Sequence, residues 1–232
     1  MRTGQLLTCL LAAPLLLLTG CSAGTAPAKP AALVAGANYH GVEPDPIPTR
    51  PEFVLHDTAG RRYDFQAETH GRPTYVYFGY THCPDECPTA MADISSALRR
   101  VPVDQRTQVR VVFVTTDARR DTAAVLRRWL DQWSTSYVGL TGTQAELDAA
   151  AAASGVAPGV VGPDPSTVPG HPDQHVEKPG TAPHKHFGPL GYSVAHSAVI
   201  YAYDVSDRLP VVYPGGIAPS DIAADLPVLA RH

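Results

Sequence analysis

The sequence predicts an α/β fold in which a central mixed sheet is flanked by helices. Two near-unbroken runs of aromatic and β-branched residues carry that reading: Thr74 to Phe78, and Val109 to Thr115 with Arg110 the exception. Runs without polar alternation are strands buried on both faces, as in a sheet covered by helices. Segments of helical spacing lie between and after them, and two late strand-like runs precede a closing helix. The 232-residue chain carries a mild net charge of −4, with no basic run interleaved with aromatics, which argues against a nucleic-acid partner.

The chain opens on a targeting segment. Arg2 supplies a positive start, and Leu6 to Leu18 is apolar with only Thr8 as a polar interruption. Such a run is short for a bilayer span and fits a secretion signal. Leu18-Thr19-Gly20-Cys21 resembles the bacterial lipobox. That resemblance implies removal of residues 1–20, lipidation of Cys21 and a chain held at the extracytoplasmic face of the cell membrane. Ser22 to about Pro48 is rich in Ala, Pro and Gly, shows no helical or strand period, and reads as a flexible tether over residues 21–49.

Residues 50–232 form the expected domain, long enough for one full core. Phe53 to Asp57 and Arg62 to Phe65 flank Thr58-Ala59-Gly60-Arg61 and predict an N-terminal hairpin. Thr74 to Phe78 is the first central strand. Pro88 to Arg100 follows as a helix, with Met91, Ile94, Ala97 and Leu98 on one face. Val109 to Thr115 is the next strand. Asp121 to Trp133 reads as a helix with Asp121 as N-cap. Thr143 to Ala153 reads as another, opened by the capping box Thr143-Gln144-Ala145-Glu146. Ser197 to Tyr203 and Pro210 to Tyr213 are the late strands, and Pro219 to Ala230 is the closing helix. The stretch from Gly162 to Gly191 breaks the pattern. It holds seven prolines, five glycines and four histidines (His171, His175, His184, His186) and reads as a long loop insertion.

Four cysteines occur. Cys9 lies in the leader and Cys21 at the processing site, so Cys83 and Cys87 remain as a pair in the body of the protein. They follow directly on the first central strand, at the start of a helix whose Pro88 suits the first helical position. Free amides and the helix dipole favour thiolates at such a place. Three residues separate the two cysteines, which leaves room for two sulfurs to converge on a soft metal as well as for a disulfide. Secretion permits either redox state. Two thiolates satisfy an ion such as Cu(I) only in part. His196, at the entry to a late strand after the long loop, is the candidate third ligand.

The segment Gly79-Tyr80-Thr81-His82-Cys83-Pro84-Asp85-Glu86-Cys87-Pro88-Thr89 resembles the signature of the SCO/SenC family. Val114-Thr115-Thr116-Asp117-Ala118-Arg119-Arg120-Asp121-Thr122 resembles its second block, and Tyr192-Ser193-Val194-Ala195-His196-Ser197-Ala198 its third. The blocks fall in family order. The resemblance implies a thioredoxin-like fold and one tight copper site, Cu(I) or Cu(II), held by Cys83, Cys87 and His196. It implies a role in assembling the binuclear copper centre of cytochrome c oxidase. The implied partners are the oxidase subunit carrying that centre and other copper carriers. Asp117 matches a family acid near the site that assists Cu(II) binding or holds the loop. His82 adjoins Cys83, with its side chain expected to point away. Ala195 stands where the family commonly has Asp before the ligand histidine, which removes a carboxylate that would orient the imidazole. The four loop histidines are candidate accessory copper collectors.

Copper metallochaperone is thus the leading functional expectation. A thiol-disulfide oxidoreductase keeping partner cysteines reduced is the alternative, and it needs only Cys83 and Cys87. A peroxiredoxin is set aside, because the segment before Cys83 lacks a Pro-x-x-x-Thr-x-x-Cys loop.

Overall fold

A computed structural model describes residues 32–35, 39–157, 160–163, 192–195 and 197–231. The leader, Cys21, much of the expected tether, the loop histidines His171, His175, His184 and His186, and His196 lie outside the described residues.

The centre is built from β5 (Thr74–Gly79), β6 (Arg110–Thr115) and β7 (Val138–Thr141), which run parallel. Their alternate residues go to two different cores. Tyr75, Tyr77, Val111 and Phe113 face one core, with Met91 and Ile94 of α2 (Glu86–Arg100), Leu126 and Leu130 of α4 (Ala123–Leu130), and Ile222 and Leu226 of α6 (Pro219–Leu229). Val76, Phe78, Val112 and Val114 face the other, with Leu147 and Ala151 of α5 (Gln144–Ala153) and with Phe65 of the short α1 (Phe65–Thr69). Burial on both faces is why these strands show no polar alternation.

Antiparallel strands extend the sheet at both edges. On one side lie β10 (Val199–Tyr203) and β11 (Val211–Pro214), then β2 (Val42–Asp45) and β1 (Ala32–Ala35). On the other, β3 (Val54–Asp57) pairs β7 and carries β4 (Arg62–Asp64) at the rim. The hairpin expected before the core is therefore part of the sheet. The element α3 (Val103–Arg106) is a single turn after α2. β8 (Val160–Pro163) and β9 (Tyr192–Ala195) pair with each other, so the two ends of the Pro/Gly/His-rich insertion meet in a two-stranded stem.

Three details correct the sequence reading. The sheet begins before residue 50: β2 joins β11 at Val42 and Val212, and β1 pairs β2, within the stretch read as tether. The four residues Val-Glu-Pro-Asp hold one large apolar side chain, too few for an alternation to register. Second, the cap of α4 is Thr122, whose Oγ1 accepts from the Val125 amide at 3.4 Å. The Asp121 carboxylate is drawn instead into the loop before Cys83. Third, α2 starts at Glu86 with Asp85 as N-cap, which makes Pro88 the third helical residue. First-turn amides have no intrahelical acceptor, so proline costs no hydrogen bond there either. The capping box of α5 is present as expected, with Thr143 and Glu146 bonded reciprocally.

Candidate metal centre

The site stands where β5 ends and α2 begins. Cys87 is the second residue of α2 and is fully buried, while Cys83 in the preceding loop is 7% exposed. The Cys87 amide donates to Cys83 Sγ at 3.3 Å, which ties the two cysteines across the helix start. Gly79, the last residue of β5, makes room for this. A Cβ there would stand 2.6 Å from Cys87 Sγ and 2.8 Å from the Tyr77 ring. The sulfur thus packs directly on backbone.

Local electrostatics depart from the expectation for a helix terminus. Burial pushes the Cys87 thiol up, well above the usual range, and the Cys83 sulfur beside it adds to the rise. The Tyr77 hydroxyl lies within hydrogen-bonding reach of Cys87. Burial also pushes Tyr80 up to about 12, with the Cys83 sulfur next in effect. Cys87 Sγ does not ionise readily alone. A soft cation held by Cys83 and Cys87 would supply the missing compensation, because metal binding displaces the thiol proton.

The loop carrying Cys83 is held by Asp121, the acid that in sequence looks like the cap of α4. Asp121 is fully buried, and its carboxylate accepts from the Thr81 amide at 2.9 Å and from the hydroxyls of Thr81 and Thr115, each at 2.6 Å. Burial raises the Asp121 pKa, against these hydrogen bonds, which lower it. Its place in the second sequence block was the available signal. Asp117 is also buried. It accepts from the amides of Arg119 and Arg120 and ion-pairs with the Arg120 guanidinium, bonds that hold its loop. Arg120 in turn lies over the Tyr80 ring, 5.3 Å from its centroid. The Tyr80 hydroxyl meets the backbone of Val194 in β9. A chain of contacts therefore links the Asp117 loop, the dithiol loop and the strand that ends just before position 196. His82 turns toward Thr81 and Asp121, with Nδ1 3.1 Å from Thr81 Oγ1.

Among the described residues, no group of three or more His, Cys, Asp or Glu side chains converges as a metal site. The described set thus provides the two sulfurs. β10 runs antiparallel to β5 with Ile200 opposite Tyr77, so the chain just before β10 lies toward the end of β5 that leads into the dithiol.

A family model described as SCO1/SenC matches residues 42–166. The chain belongs to the SCO1/SenC family. Similar to this SCO1/SenC chain is a protein of Stutzerimonas stutzeri described as a putative copper-binding protein, 34% identical over 93 residues, which are 40% of this chain and 46% of that protein. The chain thus spans less than half the length of that curated relative. Among solved structures, ScoI of Bradyrhizobium japonicum with copper bound is 28% identical, covering 78% of this chain and 99% of that one at a TM-score of 0.60. BsSco, described as a member of the Sco family of cytochrome c oxidase assembly proteins with a disulfide switch, aligns over 85% of this chain and 97% of that one at 15% identity and a TM-score of 0.51. The fold is thioredoxin-like.

Proposed function

We propose that this chain is a copper metallochaperone that matures the binuclear copper centre of cytochrome c oxidase from a lipid anchor at Cys21, on the extracytoplasmic face of the membrane. Cys83, Cys87 and His196 would hold one copper ion as cargo, handing it to the oxidase subunit or receiving it from other carriers. The observation that carries this reading is the buried, closely tied dithiol at the start of α2. Two soft donors with little solvent around them suit Cu(I). A reductase wants an accessible attacker of lowered pKa. Cys87 is neither, since it is buried and its thiol is pushed up. The copper-bound ScoI relative points the same way.

The reductase reading is kept because BsSco, a protein of the same fold, is described with a disulfide switch. One titration separates the two. The reduced chain is expected to take up one equivalent of Cu(I) tightly. Cys83→Ser, Cys87→Ser and oxidation to the disulfide should each abolish that uptake, since a disulfide sulfur is a poor ligand. Equal copper retention by the oxidised chain would place the ligands elsewhere and remove the metallochaperone assignment from this dithiol.

A further inference from the structure

A second feature lies at the opposite end of the sheet. Arg110 opens β6 and pairs in register with Thr74, which opens β5, whereas the dithiol follows the far ends of these parallel strands at Gly79 and Thr115. Beside Arg110 is a groove of about 380 Å³, walled by Leu98, Arg99, Arg106, Trp133 and Tyr137. Arg100 is exposed next to it in the last turn of α2. Between residues 98 and 110 the chain places four arginines and a single carboxylate, Asp104. Among the described residues no carboxylate forms an ion pair with Arg99, Arg100, Arg106 or Arg110. Placement at a helix C-terminus accounts for Arg99 and Arg100. It does not account for Arg110 at a strand start or for Arg106 on a single turn.

Beside these charges, Val103 on α3 is 60% exposed, the most exposed of the large apolar side chains among the described residues. An exposed aliphatic residue among unpaired arginines, with a half-buried tryptophan in the groove, combines apolar insertion with attraction to negative headgroups. We propose that this end of the domain docks on a membrane surface bearing anionic phospholipids. An acidic protein that exchanges copper would approach the dithiol end, so it does not explain a basic groove at the far one. A membrane does, and docking there leaves the dithiol facing away from the bilayer and open to a partner. A tether from Cys21, as proposed above, would keep that surface within reach. Docking itself does not depend on the copper reading, and its test leaves the dithiol untouched.

The test uses the processed chain from residue 21 with Cys21→Ser, so that no acyl chain contributes. It is titrated with vesicles of phosphatidylcholine, with and without phosphatidylglycerol, and binding is read by co-sedimentation. Binding should require phosphatidylglycerol and fall with added salt. Arg106→Gln and Arg110→Gln should each weaken it about five-fold. Val103→Asp should weaken it as well. Arg61→Gln, an exposed arginine of the β3–β4 turn paired with Asp57, should change nothing. Circular dichroism checks that each variant is folded. Absence of binding to phosphatidylglycerol vesicles, equal binding to neutral ones, or no effect of the groove variants would overturn the proposal. So would binding of inorganic phosphate or polyglutamate at the same ionic strength without any vesicle binding.

Discussion

At the scale of single residues, the dithiol depends on what is missing as much as on what is present. Gly79 is needed because Cys87 Sγ occupies the space its side chain would fill. Backbone and a buried helix residue cannot both yield, so Gly79→Ala overpacks the junction of β5 and α2. The expected cost is about 1–3 kcal/mol in denaturant unfolding, together with weaker copper retention. Unchanged stability would mean that the cysteine rotates away freely. Asp121 is a second pivot. Asp121→Ala takes the acceptor from the Thr81 amide and from the Thr81 and Thr115 hydroxyls. Leaving such donors unmatched in a buried place should cost about 2–3 kcal/mol. The reduction potential of the Cys83–Cys87 pair should shift too, because the loop that sets their spacing loosens. A variant that unfolds earlier with an unmoved potential would make Asp121 a stability residue only.

Elements meet through a few polar ties, and one of these is sensitive to pH. Before β2, His40 donates its amide to Asp225 of α6 at 2.9 Å, and its ring Nδ1 lies 2.6 Å from the same carboxylate. Asp225 is buried and also accepts from the Tyr213 hydroxyl. The hydrogen bond to Asp225 holds the His40 pKa above its ordinary value of 6.5, and the carboxylate charge acts in the same sense. A raised histidine stabilises the fold fully below its unfolded pKa, and the contribution fades as pH rises through the folded value. His40→Gln should therefore cost most below about pH 6 and less above about pH 8. Urea midpoints of both proteins across that range check it, and a gap that widens with pH would refute the pairing. This tie also shows what the sequence could tell. Strands buried on both faces, the face of α2 and the capping box of α5 were legible because each leaves a local mark. The β1–β2 edge, β7 and the β8–β9 stem were not, because they are short and defined by distant partners. Asp121 was misread for a similar reason. An acid before a helical run looks like a cap until Thr81 of the dithiol loop and Thr115 at the end of β6 meet it.

On the scale of the whole molecule, the central strands separate two ends with different chemistry. One end holds two buried sulfurs, the other a basic groove with an exposed valine. The described residues just before β10 lie toward the dithiol end, and His196 precedes them in the sequence. A copper carrier needs a third donor that a partner's ligands can displace, whereas thiolate attack on a disulfide needs no imidazole. His196→Ala should therefore weaken Cu(I) retention sharply and impair assembly of the oxidase copper centre in cells. Reduction of a model disulfide by the same variant should change little, since Cys83, Cys87 and the helix start are untouched. The Tyr80–Val194 contact gives an independent check: Tyr80→Phe removes the hydroxyl that meets the strand just before position 196 while leaving the sulfurs in place. It should reduce copper retention in the same direction, but by less. If His196→Ala assembles the oxidase normally while Cys83→Ser and Cys87→Ser fail, the dithiol acts as a reductase and copper carriage falls to another protein.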